Sequence, residues 1–211
     1  ADLPVTPGLG PGRRPLRPPL MVTTRNSRAD VVAAAGRLFA EKGYHGTSMR
    51  DLGRELGLLG SSLYAHVDSK QDLLVEVVEE GARLFQHSAQ RAMLVEGPAP
   101  DRLRALVAGH IDVVLANHDV VRTFLNEARM LDRRHRARVI AARDAYEHSF
   151  REVIGEGVGD RSFRSDVDPK LSSIFILSVL NAVERWFHPG GDLDRDGLVE
   201  AILGFALAGI R

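Results

Sequence analysis

Thr47-Ser48-Met49-Arg50-Asp51-Leu52, then Gly57, then Ser61-Ser62-Leu63-Tyr64-Ala65-His66-Val67-Asp68-Ser69-Lys70 is the stretch whose reading decides the fold. Ser48 suits a helix N-cap, and Asp51 three positions on completes a capping box. Gly57 suits the left-handed conformation that ends a short helix and turns the chain. The next segment starts with small hydroxyl residues and carries Tyr64 and His66 on its body, side chains suited to phosphate and base contacts in a major groove. The spacing predicts a helix-turn-helix that presents its second helix to duplex DNA.

Working outward, Val31, Val32, Ala35, Leu38 and Phe39 recur at helical spacing between Arg28 and Lys42, with Asp30 near the start and Gly43 after the end. A helix over 48–56 buries Met49, Leu52 and Leu56, and one from about Gly60 to Val67 buries Leu63 and Val67. These three helices are expected to make a DNA-binding unit over residues 25–70. The first twenty residues hold six Pro and three Gly and lack the apolar stretch of a signal peptide, so 1–24 is expected to be a disordered tail, with Met21 a candidate start.

Ser69, with Asp72 three residues later, caps a long helix expected to run to about Glu96, its buried stripe marked by Leu74, Val77, Val78, Gly81 and Phe85. Its first turn touches the DNA unit and its remainder belongs to a second domain over 71–211, which makes it a mechanical link. After Gly97-Pro98-Ala99-Pro100, further helices are predicted at about 101–117, 120–131, 133–155, 169–187 and 194–210, with Pro169 at a first helical position behind Asp168. No alternating strand pattern occurs, so the fold class is all-α. The last helix is apolar around more than one face, which suits an interface in which it and the helix over 169–187 pair with a second copy. Gly204, Ala208 and Gly209 would let those helices approach closely.

The 211 residues and 44% hydrophobic content allow a full core. Charge is balanced overall but not along the chain: residues 1–70 carry a net +4 and residues 71–211 a net −4, which suits a protein that meets DNA with one end. Cysteine is absent, which excludes disulfides, thiolate metal sites and cysteine nucleophiles, and fits a cytoplasmic protein. The richest apolar run, Ile174 to Val183, is broken by Ser178 and Asn181 and is far shorter than the roughly 20 residues of a membrane span. The eight histidines lack the spacing of a metal-binding helix pair, no nucleophile elbow occurs, and Gly155-Glu156-Gly157-Val158-Gly159 follows a helix rather than a strand. Neither catalysis nor a cofactor is expected.

An apolar helix ending Phe39-Ala40-Glu41-Lys42-Gly43-Tyr44-His45-Gly46-Thr47-Ser48, then Met49-Arg50-Asp51-Leu52, then Leu63 to Lys70 resembles the tetracycline-repressor (TetR) family of bacterial regulators over about residues 28–75. The remainder agrees in length and layout without a shared motif. The resemblance implies a three-helix DNA-binding unit joined to a larger helical ligand-binding domain that dimerises through its last two helices. Carried over residue by residue, phosphate contacts fall on Thr47, Ser48, Tyr64, His66 and Lys70, and base readout on Arg50, Ser61 and Ser62. Arg25 and Arg28 would reach the backbone or an adjacent minor groove. The family commonly has a small polar residue, a Lys and a Gly where this chain has Leu59, Gly60 and Ser61, so one phosphate-contacting Lys is missing.

In the second domain Phe85, Asn126, Arg129, Asn181, Arg185 and Trp186 are the candidate ligand-binding residues, polar groups among apolar neighbours. Asn181 to Gly191 is similar to the equivalent stretch in family members that answer acyl-coenzyme A esters, and Arg133, Arg134, Arg136 and Arg138 would attract a coenzyme A phosphate. The expected function is a homodimeric regulator, a repressor, that binds a palindromic double-stranded operator and is released by a small, largely apolar effector such as an acyl-CoA. Two alternatives stay open: a helical ligand-binding protein without specific DNA binding, favoured by Leu59 and Gly60, and a helical enzyme using Glu127 or His110 as a base.

Overall fold

The computed structural model describes residues 27–58, 63–65 and 67–211, all of them helical or in short connections. The expectations for the tail over 1–24 and for Arg25, Leu59, Gly60, Ser61, Ser62 and His66 lie outside the described residues. Eight α-helices are described: α1 (Arg28–Gly46), α2 (Met49–Leu56), α3 (Lys70–Met93), α4 (Ala99–Ala116), α5 (His118–Asn126), α6 (Arg133–Gly159), α7 (Pro169–Trp186) and α8 (Arg195–Ile210). A short 3-10 turn, Ala128–Met130, follows α5.

In the amino-terminal head α2 starts and ends where the sequence expects it. Ser27 and Asp30 close a capping box on α1, and Ser48 and Asp51 close another on α2. Gly57 ends α2 at φ 64°, ψ 24°, the left-handed cap that only glycine adopts without strain. Val31, Leu38, Phe39, Leu52, Leu63 and Val67 fill the space between these elements, and Leu73, Leu74 and Val77 from the start of α3 close it from below. The apolar interior then runs without a break into the larger body, so the head is seated on α3 and α5 rather than hung on a linker.

In the body, α3 packs on α4, α5 and α6, α7 lies along α6, and α8 lies mainly against α4. Arg195 at the start of α8 clamps Asp112 of α4 through two bonds of 2.8 Å, a forked geometry that fixes the register of the last helix. Close helix crossings use glycine. A Cβ on Gly81 would stand 2.7 Å from Cβ of Phe124, so α3 and α5 touch backbone to ring there.

Three boundaries differ from the sequence expectation. The helix expected over 133–155 continues to Gly159 because Gly157 receives the Phe163 ring, 2.2 Å from where a Cβ would lie, and that contact holds the glycine-rich end helical. The segment expected as one helix over 120–131 is split between α5 and the 3-10 turn at Glu127. The long link ends at Met93 rather than Glu96, with Gly97 at φ 130° carrying the chain into α4.

Candidate DNA head, effector cavity and the junction between them

The exposed surface of the head carries Ser48, Arg50 and Tyr64. The Ser48 hydroxyl donates to Asp51 Oδ2 at 2.6 Å, and this bond together with the Ser48 backbone N–H holds the Asp51 carboxyl below its ordinary range. Arg50 is exposed and forms no ion pair among the described residues; Glu55, a candidate partner, pairs with Arg37 instead. Tyr64 is 55% exposed, its ring turned out of the core. Arg28 pairs with Glu76 of α3, Nε to Oε2 at 3.1 Å, which ties the first turn of α1 to the link helix.

Two expected phosphate contacts are corrected. Thr47 is 1% exposed, and its hydroxyl faces the carbonyl oxygens of Gly43 and Leu38 at 2.9 and 3.1 Å, where it satisfies the end of α1. Lys70 turns its ammonium inward, donating to the carbonyls of Tyr44 and Thr47 at 2.8 Å each and lying 4.2 Å from the Tyr44 ring centre. A cation there complements the carbonyl end of α1 and a π face at once. Both residues position the head; neither side chain is turned to its surface.

Tyr44 is the centre of this arrangement, and sequence reasoning met it only as part of a motif. α1 breaks at Gly43, φ 72° and ψ 165°, a backbone region reserved for glycine. The break frees the Tyr44 N–H, which donates to Glu127 Oε2 at 3.1 Å, while the Tyr44 hydroxyl donates to Gln71 of α3 at 2.8 Å. Next to Glu127, Asn126 donates to Oε1 of Glu184 at 3.2 Å; Glu184 is 4% exposed near the end of α7, and its Oε2 has no hydrogen-bond partner among the described residues. Gly43, Asn126, Glu127 and Glu184 line a cleft of about 500 Å³ between head and body, with Arg122 and Arg185 on its walls.

A second cavity, about 570 Å³, opens among α3, α4, α5, α6 and α7. Phe85, Phe124, Leu125, Ile174 and Leu177 supply apolar wall; Arg143, Lys170, Arg185, Asp144, Glu147, Ser178 and Asn181 supply polar groups, and His110 and Tyr146 also line it. Arg143 donates to the Phe124 carbonyl at 2.6 Å with its guanidinium over the Phe124 ring, and its partial desolvation lowers its pKa. His110 Nδ1 lies 3.1 Å from the Tyr146 hydroxyl, while His110 Nε2 is buried without a well-formed hydrogen bond among the described residues. Burial pushes the His110 imidazole down to about 3 and raises the Tyr146 phenol, so both are neutral near pH 7.

Of the candidate ligand residues, Phe85, Asn181 and Arg185 line this cavity. Asn126 lines the junction cleft instead. Arg129 is exposed on the 3-10 turn and Trp186 is half-exposed with its edge to Phe187, so neither reaches the cavity. The Arg133–Arg138 cluster also lies off the cavity. Arg136 there satisfies the carbonyls of Arg129 and Leu131, and Arg138 pairs with Glu79. Sequence reasoning missed Tyr146, Arg143 and Glu147 because they come from α6, whose apolar pattern is weak. The signal for His110 was present, a lone imidazole in the apolar stripe of Leu103, Leu106, Val107, Ile111 and Val114.

The fold recurs in known proteins. Residues 31–77 match the model of bacterial regulatory proteins of the tetR family, and residues 96–210 match that of the tetracyclin repressor-like C-terminal domain. The HTH-type transcriptional repressor KstR2 of Rhodococcus jostii is 30% identical over 188 residues, covering 87% of this chain and 90% of that protein. The structure of the ketosteroid transcriptional regulator KstR2 of Mycobacterium tuberculosis superposes with a TM-score of 0.82 at 25% identity, covering 90% of this chain and 96% of that one. AibR, solved in complex with isovaleryl coenzyme A and operator DNA, superposes with a TM-score of 0.78 at 25% identity, covering 85% and 97%. With a helix-turn-helix head, a helical body and both family models matched in order, the chain belongs to the TetR family of bacterial DNA-binding transcriptional regulators.

Proposed function

We propose that this regulator is a homodimeric repressor that holds a palindromic operator through two heads and lets go when a small, largely apolar ligand enters the α3–α7 cavity. The observation that carries the proposal is the double service of α7: Asn181 and Arg185 line the cavity, while Glu184, between them on the same helix, bonds Asn126 beside the Glu127–Tyr44 contact. A ligand that displaces α7 or α5 therefore acts on the break in α1 and on the start of α3. Coupling requires only that the ligand prefer the head spacing that DNA does not. Acyl-coenzyme A esters are the proposed class, supported by the cavity's apolar walls with cationic Arg143, Lys170 and Arg185, and by the likeness to AibR, solved with isovaleryl coenzyme A.

The DNA-facing set in this reading is Arg50, Tyr64 and the capped start of α2 at Ser48, joined by Arg25, Arg28, Ser61, Ser62 and His66 through the family resemblance. The domains divide at about residue 70, with α3 as the shared element, and the protein acts in the cytoplasm where its operator lies. The dimer forms through α7 and α8, which leave Phe175 64% and Phe205 69% exposed beside Leu171 and the open glycines Gly204 and Gly209. An apolar face of that kind is what a partner helix pair covers.

Fluorescence anisotropy with duplex DNA from upstream of its own gene tests this directly. Salt-dependent binding at one site, weakened by added decanoyl-coenzyme A, is the expected result. Binding of the thioester with no specific binding of any upstream duplex would overturn it in favour of a helical ligand-binding protein.

A further inference from the structure

The His110–Tyr146 pair holds one more hydrogen-bond proton than its mutual contact uses. A neutral imidazole has one N–H and the phenol one O–H, and their 3.1 Å contact consumes one of the two in either tautomer. If Tyr146 donates to Nδ1, the Nε2–H is left over; if Nδ1–H donates, the phenol proton is left over. Neither leftover proton has a well-formed hydrogen bond among the described residues. Nε2 has no hydrogen-bond partner of good geometry among the described residues, although the Leu180 carbonyl lies close enough to oppose part of the burial effect, and His110 is 1% exposed. A buried donor left unmet is unfavourable, so such groups are paired in nearly all native structures.

The surroundings narrow what can meet it. Phe85 stands 4.7 Å from His110 and 5.3 Å from Tyr146, ring centre to ring centre, and Phe150 closes the far side of Tyr146 at 5.5 Å. A carboxylate or phosphate entering this aromatic enclosure would give up its hydration for a single bond. A carbonyl, ether or hydroxyl oxygen would not.

We infer that the effector carries a neutral acceptor oxygen on its apolar body and that the His110–Tyr146 pair donates to it, so that the cavity selects oxygenated apolar ligands over plain hydrocarbon ones. This rests on the reading of the α3–α7 cavity as the effector site. A site built around a buried donor rejects the analogue that lacks the acceptor far more strongly than an apolar wall rejects a missing methylene.

The test is competition against a fluorescent reporter, 1-anilinonaphthalene-8-sulfonate, by decanoyl-coenzyme A and its oxo derivatives carrying the ketone at C5, C7 or C9. At least one oxo isomer is expected to bind about tenfold tighter than the parent, and the advantage is expected to shrink to about twofold or less in the double variant His110→Phe, Tyr146→Phe. The wild-type series decides the matter even if the double variant does not fold. Equal affinity for all four thioesters overturns the inference while leaving the cavity as an effector site. Failure of every thioester to displace the reporter overturns the inference together with the acyl-thioester reading.

Discussion

The backbone N–H of Tyr44 donates to the carboxylate of Glu127, 3.1 Å to Oε2, so the break in the first helix of the head is held by the residue that directly follows α5 of the body. Removing that carboxylate strands a partly buried donor. Glu127→Ala is expected to lower stability by about 1–3 kcal/mol in urea denaturation. It is also expected to leave ligand affinity in the absence of DNA unchanged while shrinking the ligand-induced change in DNA affinity, and Glu127→Gln, which keeps an acceptor, should restore most of both. Unaltered coupling in the alanine variant would remove this contact from the route.

Lys70 offers a sharper distinction, because positioning and phosphate contact leave different marks on salt dependence. A lysine on phosphate contributes about 0.9 to the slope of log affinity against log salt. Since the Lys70 ammonium is bonded to the Tyr44 and Thr47 carbonyls, Lys70→Met is expected to weaken DNA binding with the slope unchanged. Arg50→Ala, at an exposed position, is expected to alter sequence preference. Anisotropy titrations at several salt concentrations read both effects.

Gly43 sits where only glycine is comfortable. Its φ of 72° with ψ 165° is strained for any L side chain, though a Cβ would meet only Glu127 Oε1 at 3.7 Å. Gly43→Ala is therefore a backbone test rather than a packing test, with an expected loss of about 1–3 kcal/mol. Circular dichroism melting curves would record it, and no change in midpoint would contradict the assigned break.

His110 makes stability depend on pH. Its folded pKa of about 3 lies below the ordinary imidazole value of 6.5, so the unfolded chain binds a proton in that window and the folded chain does not. The contribution is complete above pH 6.5 and is lost as pH falls toward 3. One such group implies a slope of about 1.4 kcal/mol per pH unit across the window. Urea denaturation between pH 7 and 5 is expected to show this slope in the wild type and its absence in His110→Phe; equal slopes in the two would mean the imidazole is solvated.

The elements visible in the sequence were those whose cause is local. The capping box at Ser48, the left-handed Gly57 and the Asp168-Pro169 start each act within a few residues, and the structure has them where the sequence predicts them. What was not legible depends on distant partners. Thr47 and Lys70 carry the residue types of a phosphate contact, yet the carbonyls freed by the α1 break turn both inward. Tyr146 reaches the cavity because α6 happens to face α4, and no spacing within either helix encodes that meeting. Arg129 and Trp186 have suitable chemistry at unsuitable addresses, the outer side of a 3-10 turn and an exposed helix end.

Selection from a random-sequence duplex library, followed by sequencing of the bound fraction, tests the central claim most directly. A pair of identical heads held in a symmetric dimer must enrich an inverted repeat whose half-sites lie about one or two helical turns apart, in steps of roughly 10–10.5 base pairs. Enrichment of a single unrepeated motif, or of no motif at all, would contradict the account.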